Sequence, residues 1–173
     1  MKVNRFTRTP VILAILALNI GCDQISKFLV RKNMRYDDHI GFLHDHLTLS
    51  KVENTGAFLS LGDTLSNPYR FILLTLLPAL ALGFGLVYIL VKSNISKVNL
   101  LGIIFILGGG IGNLYDRIVH GSVTDFLHID FVIFQTGIFN VADMSIMAGM
   151  FMILINSWMK QKHEKKAIAT ESD

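Results

Sequence analysis

Six ionisable side chains stand where an otherwise apolar chain has least reason to hold them: Asp23, Lys27, Asp116, Arg117, Asp125 and Asp143. A charge in a bilayer-spanning segment costs about 2.5 to 3.5 kcal/mol on insertion scales, so such residues are functional candidates by default. Asp23 and Lys27 are four apart, which puts them on one helix face and allows a self-neutralising pair. Asp116 and Arg117 are adjacent and read as an ion pair bracing a helix end. Asp143 differs, because no basic residue is near it in sequence. A carboxylate in such surroundings needs a partner from elsewhere or must hold a proton. Asp125 is the natural partner, since residues 126 to 142 are enough chain to bring both carboxyls to one interface. Two carboxylates that meet share a proton: one acts as base toward water while the other, protonated, polarises a carbonyl. That is aspartic-protease chemistry. Spacing alone leaves Asp116 open as an alternative to Asp125.

Other chemistries lack their signatures. There is no His-Glu-x-x-His for a zinc peptidase and no Gly-x-Ser-x-Gly for a serine hydrolase. His44-Asp45-His46 and Asp125, His128 and Asp130 imitate metal ligands, but loop histidines are more often solvated or interfacial. No metal and no cofactor are expected. Cys22 lies in an apolar run and reads as a small buried hydrophobe rather than a reactive thiol.

The elements that must position these groups are apolar helices. Hydrophobic residues make up 51% of the chain and charged ones 17%, with a mean hydropathy of +0.50. Soluble domains carry about 25% charged residues, so the deficit points to lipid. A net charge of +3, dispersed along the chain, argues against a nucleic-acid partner. Four stretches, about residues 10–30, 71–91, 98–115 and 139–159, approach the roughly 20 residues that a spanning helix needs. Four segments cannot close a barrel, and lipid tolerates no unpaired backbone, so helix is the remaining choice. One membrane-embedded domain over residues 1–173 is expected, with no internal repeat.

Basic residues orient it. Lys2, Arg5 and Arg8, then Lys92 and Lys97, then Lys160, Lys162, Lys165 and Lys166 all fall on one side of a four-span chain. Asp37, Asp38, Asp45, Glu53, Asp63, Asp116, Asp125 and Asp130 gather on the other. The positive-inside rule then makes both termini cytoplasmic. Of the outer segments, residues 36–68 alternate at Leu43, Asp45, Leu47, Leu49 and Lys51, which predicts extended structure half-buried at the membrane surface, with a turn at Asn54-Thr55-Gly56. Residues 121–138 are apolar for a loop and read as lying in the interface. The run ending Asn19-Ile20-Gly21-Cys22 imitates a lipoprotein signal, but Asn19 and Ile20 fit that motif poorly and the apolar pattern continues to Val30.

Taken together, these residues closely resemble one family, lipoprotein signal peptidase, also called signal peptidase II or prolipoprotein signal peptidase. The matching pieces are Asp23-Gln24-Ile25-Ser26-Lys27, Asn54-Thr55-Gly56-Ala57-Phe58, Gly112-Asn113-Leu114-Tyr115-Asp116-Arg117, Val123-Thr124-Asp125-Phe126 and Phe139-Asn140-Val141-Ala142-Asp143. Each is weak alone, but five in the family's order across four spans are specific. Gly110 stands where the family often has alanine, and Phe58-Leu59 replaces a common Ala-Phe. The resemblance implies an all-α integral membrane protein: four transmembrane helices with a small extracytoplasmic β-sheet cradle formed around residues 36–68. It implies a membrane aspartic endopeptidase of the bacterial inner membrane, which removes signal peptides from diacylglyceryl-modified prolipoproteins just before the lipidated cysteine. Carried over, it makes Asp125 and Asp143 the catalytic pair. It gives Asp23, Lys27, Asn54, Gly56, Asn113, Asp116, Arg117, Asn140 and Ala142 to substrate binding or to shaping the site. Its implied partners are prolipoproteins and membrane lipid, with inhibition by globomycin-like cyclic peptides. Two other classes remain distinguishable: a proton-coupled carrier, which would thread acids across the midplane, and a structural membrane protein, which would leave the Asp125 and Asp143 placement unexplained.

Overall fold

The computed structural model describes residues 5–57, 62, 64–131 and 133–171. Lys2, Phe58, Leu59, Asp63 and Val132 lie outside the described residues. Four helices form the body: α1 (Arg5–Asn33), α2 (Asn67–Val91), α3 (Lys97–His120) and α4 (Val141–Glu171). Each contains a segment long and apolar enough to cross a membrane, namely Arg8–Asn33, Asn67–Val91, Lys97–His120 and Val141–His163.

The polarity of this body is inverted relative to a soluble domain. Phe84 is 75% exposed while Asp23, Lys27, Asp116, Thr124 and Asn140 are each 0% exposed. Large apolar side chains facing outward are what an acyl-chain solvent selects, and it leaves polar groups to find one another inside. Cys22 follows the same rule. It points out of the bundle, not into it, so the expectation of a buried thiol is corrected. The small apolar thiol simply faces the hydrocarbon side.

α3 is the central helix, packing on α1, α2 and α4. Its glycines allow close approach: a Cβ on Gly102 would lie 2.7 Å from the Gly149 carbonyl of α4, and one on Gly112 would lie 2.5 Å from Asp23 Oδ2. α3 runs past Tyr115 to His120 and stops at Gly121, whose φ of 77° is the left-handed conformation of a helix C-cap. Asp116 and Arg117 therefore sit within the last turns of the helix rather than closing it. In α2, residues Ile72–Leu76 form a π-helical turn, with the Leu77 amide reaching back to the Ile72 carbonyl. Pro78 accounts for it, because its ring has no N–H and crowds the carbonyl of Leu74.

At one end of the bundle lies an antiparallel sheet of order β1-β2-β3-β4, built from β1 (His39–Phe42), β2 (Leu47–Asn54), β3 (Val123–Phe131) and β4 (Phe134–Gln135). The alternation expected to continue through Leu43 and Asp45 is interrupted. Leu43, His44 and Asp45 have φ of 53°, 57° and 65° and make the turn between β1 and β2. The segment expected as an interfacial loop contributes β3, which pairs Val52 with Asp125 and Asn54 with Val123. Its apolar residues are explained by the packing of Phe126 on Val30 of α1 and on Met34 just beyond it. An isolated bridge from Leu127 to Phe139 draws the chain back so that Asn140 arrives beside β3.

Candidate active site

Three asparagines and two aspartates meet where the end of β2, β3, α3 and the start of α4 converge. Asp143 is set by the helix that carries it. Asn140 Oδ1 accepts from the Asp143 amide at 3.0 Å, and Asp143 Oδ2 accepts from the Asn140 amide at 3.1 Å. This reciprocal capping box fixes the helix start and aims Asp143 along it. The Asn140 side chain has an end to spare, and its Nδ2 donates to Asp125 Oδ1 at 2.6 Å. One residue thus ties both carboxyls together. Asn54, at the end of β2, donates to the other oxygen, Asp125 Oδ2, at 3.0 Å, while its own Oδ1 accepts from the Gly56 amide. Asn113 of α3 donates to Asp143 Oδ1 at 2.8 Å.

Asp125 and Asp143 line one cavity of about 380 Å³, shared with Asn54, Asn113, Arg117 and the apolar side chains of α2 and α4. Burial pushes the Asp125 carboxyl up to about 6, and the charge of Asp143 adds to the rise. The Asn54 and Asn140 hydrogen bonds oppose it. A carboxyl whose pKa is raised toward neutrality beside a second carboxyl is an arrangement suited to general acid–base work on a water.

Behind the pair lies a buried charge cluster. Lys27 Nζ is 2.9 Å from Asp23 Oδ2 and 3.0 Å from Asp116 Oδ2, and it donates to Asn113 Oδ1 at 2.8 Å. Asp23 Oδ1 accepts from the Ala142 amide at 2.9 Å, joining α1 to the first turn of α4. The expected Asp116–Arg117 pair is not formed. Neighbours in a helix point about 100° apart, so Asp116 turns inward to Lys27 and to Arg31 at 3.4 Å, while Arg117 faces the cavity. There Arg117 donates to the Gly56 carbonyl at 2.9 Å and to the Asn113 carbonyl at 3.5 Å. Asp23, Lys27 and Asp116 thus lie behind the cavity, whereas Asn54, Asn113, Arg117, Asp125 and Asp143 line it.

Sequence reasoning missed several members of this network. Gln24 donates to Asp23, to the Gly112 carbonyl and to Asp116, each at 3.1 Å. Arg31 donates to Thr124 at 2.9 Å, and Thr124 and Ser122 both donate to Glu53. Arg31 was detectable, since it continues the Asp23, Lys27 face by another four residues. Glu53 carried no signal, because its partners come from a strand that was read as a loop. Of the histidines in these clusters, His46 has structural partners: its Nδ1 lies 2.7 Å from the Asp130 carbonyl and its ring stacks on Phe131.

The chain matches the sequence profile of signal peptidase (SPase) II over residues 15–159. It is 34% identical to a lipoprotein signal peptidase of Hydrogenovibrio crunogenus, over 98% of both chains. It is 30% identical to one of Streptococcus pyogenes serotype M1, over 86% of this chain and 93% of that one. Its fold is similar to that of a bacterial membrane enzyme solved by the in meso method at 2.3 Å resolution, with a TM-score of 0.77 and 21% identity over 89% of this chain and 91% of that one. The chain therefore belongs to the signal peptidase II family of membrane proteases.

Proposed function

We propose that this protein removes signal peptides from diacylglyceryl-modified prolipoproteins, with Asp125 and Asp143 as the catalytic pair. The observation that carries this reading is the joint hold of Asn140 on both carboxyls at the wall of one cavity. The pair holds one shared proton, which sits on Asp125, the more buried of the two, and Asp143 acts as the base. A water between them loses a proton to Asp143 as its oxygen bonds to the scissile carbonyl carbon. Asp125 gives its proton to the carbonyl oxygen. The tetrahedral intermediate then collapses: the C–N bond breaks, the cysteine nitrogen takes the proton held on Asp143, and Asp125 recovers its own. Arg117 and Asn54 hold the substrate backbone beside the pair. Asn113 keeps Asp143 oriented, and Asp23, Lys27, Gly56, Asp116, Asn140 and Ala142 keep the site in shape.

The distribution of Lys and Arg supports cytoplasmic termini and a site at the outer face, with the sheet as a cradle for the substrate there. The whole chain works as one peptidase unit without a cofactor. A lipidated cysteine reaches the site from the bilayer, and globomycin-like cyclic peptides compete for the same cavity. Lipid supplies much of the binding, at about 0.8 kcal/mol per buried methylene. Purified protein in detergent should therefore cleave a lipidated prolipoprotein and leave the same sequence with a bare cysteine measurably uncut. Equal rates on the two substrates would overturn this mode of recognition.

A further inference from the structure

We propose that a second cavity, at the end of the bundle opposite the dyad, binds the phosphate headgroup of an anionic phospholipid. The cavity measures about 380 Å³ and lies between the start of α1 and the start of α3, lined by Arg8, Ser93, Lys97 and the apolar side chains of Ile12, Ile15 and Leu100, among others. Arg8 and Asp23 are fifteen residues apart on α1, a rise of about 22 Å, so this site is separate from the catalytic one.

Arg8 is the reason to expect an anion. It is only 8% exposed, and its Nη2 has no hydrogen-bond partner among the described residues. Leaving a buried guanidinium without a counter-charge is strongly destabilising. Among the described residues no carboxylate lines this cavity. No Asp or Glu occurs in residues 1–22 or 64–115, which include every residue lining the cavity. On α4, Asn156 marks the level of the α3 start, where it donates to Ser96 and Asn99. Glu164, the next acid after Asp143, is about two turns beyond that level.

The remaining lining selects lipid over a soluble anion. Lys97 adds a second cation and Ser93 a hydroxyl at the rim, while the walls are aliphatic. Val11, beside Arg8 in that wall, is 57% exposed on the bundle surface, so the cavity opens to the hydrocarbon side. A phosphate at Arg8 and Lys97 with an acyl chain along Val11 and Ile15 satisfies both halves. A guanidinium meets phosphate oxygens through paired N–H donors, and basic pockets between spanning helices recognise headgroups in this way. Under the orientation proposed above, this is the cytoplasmic leaflet.

The test is native mass spectrometry of the full chain, delipidated in neutral detergent and titrated with phosphatidylglycerol, with phosphatidylcholine of the same chains, or with inorganic phosphate. Phosphatidylglycerol should bind one per chain at least about tenfold tighter than phosphatidylcholine. Arg8→Gln should abolish that preference. Lys97→Gln, at an exposed position that leaves folding intact, should weaken phosphatidylglycerol several-fold without changing the lipid-free melting temperature. Equal affinity for the two lipids, or unchanged phosphatidylglycerol binding in Lys97→Gln and in any Arg8→Gln protein that folds, would overturn the site. Full displacement of the lipid by low millimolar inorganic phosphate would overturn the lipid assignment in favour of a free anion.

Discussion

Replacing Asp116 by asparagine should damage the fold far more than the chemistry. The carboxylate is fully buried, with one oxygen 3.0 Å from Lys27 and the other 3.4 Å from Arg31. Lys27, Arg31, Asp23 and Asp116 sum to zero charge, and Asp116→Asn leaves one positive charge uncompensated in the bundle. Breaking a buried pair in this way costs about 3 to 5 kcal/mol. For a chain of this size each kcal/mol shifts the melting temperature by about 2 to 4 °C, so a fall of about 6 to 20 °C is expected. Lys27→Met should cost a similar amount, because it takes the cation from Asp23 and leaves one negative charge uncompensated. It should also slow turnover, since Lys27 holds the Asn113 amide that reaches Asp143. The double variant restores neutrality, so its loss should fall short of the sum of the singles by about 1 to 3 kcal/mol. Thermal unfolding in detergent reads the stability, and single-turnover cleavage of a lipidated substrate reads the chemistry. Folded Asp116→Asn should retain turnover within about tenfold, as its carboxylate lies behind the cavity. Strict additivity of the two losses, or a well-folded but inactive Asp116→Asn, would refute this assignment.

Three further outcomes are expected. Burial raises the Asp125 pKa to about 6, so the folded state binds that proton more tightly than the unfolded chain. The stabilisation is complete below about 3.8 and is lost as pH rises through about 6. The stability of the parent protein relative to Asp125→Asn should therefore drop by about 3 kcal/mol at most between pH 4 and pH 7, and a difference independent of pH would exclude it. In a Cys22→Ser background, an impermeant thiol reagent applied to intact cells should label a cysteine at His44 and spare one at Lys162; the reverse pattern would invert the topology. Cys22→Ser itself should keep full turnover, because the thiol faces away from the cavity, and a chelator should leave the rate unchanged; activity restored by added zinc would revive the histidine clusters.

The four spans were legible because lipid imposes one simple demand, about twenty apolar residues, and the chain meets it four times. The buried charges were legible for the converse reason, that each is costly where it stands. Pairing was not. Asp116 and Arg117 are neighbours in sequence, yet helical geometry turns them to different faces, and the true partner of Asp116 is Lys27 on another helix. β3 was hidden because Phe126, Leu127 and Ile129 look like an interfacial loop until Val30 and Met34 are seen to receive Phe126. The three left-handed residues from Leu43 to Asp45 carry no glycine or asparagine to announce a turn. Asn140 was readable as a helix cap three residues before Asp143, but its second contact, to Asp125, depends on the Leu127–Phe139 bridge and so on the folded chain.

The most direct test of the central claim is single-turnover cleavage of a lipidated prolipoprotein by folded, detergent-purified Asp125→Asn, Asp143→Asn and the double variant. Asparagine keeps the size and polarity of each carboxyl and removes its ability to exchange a proton. If Asp125 and Asp143 share one proton and activate one water, either substitution should lower turnover by at least about 10³-fold, and the double variant should be scarcely worse than either single one. Near-normal turnover in folded Asp125→Asn or Asp143→Asn would contradict the account.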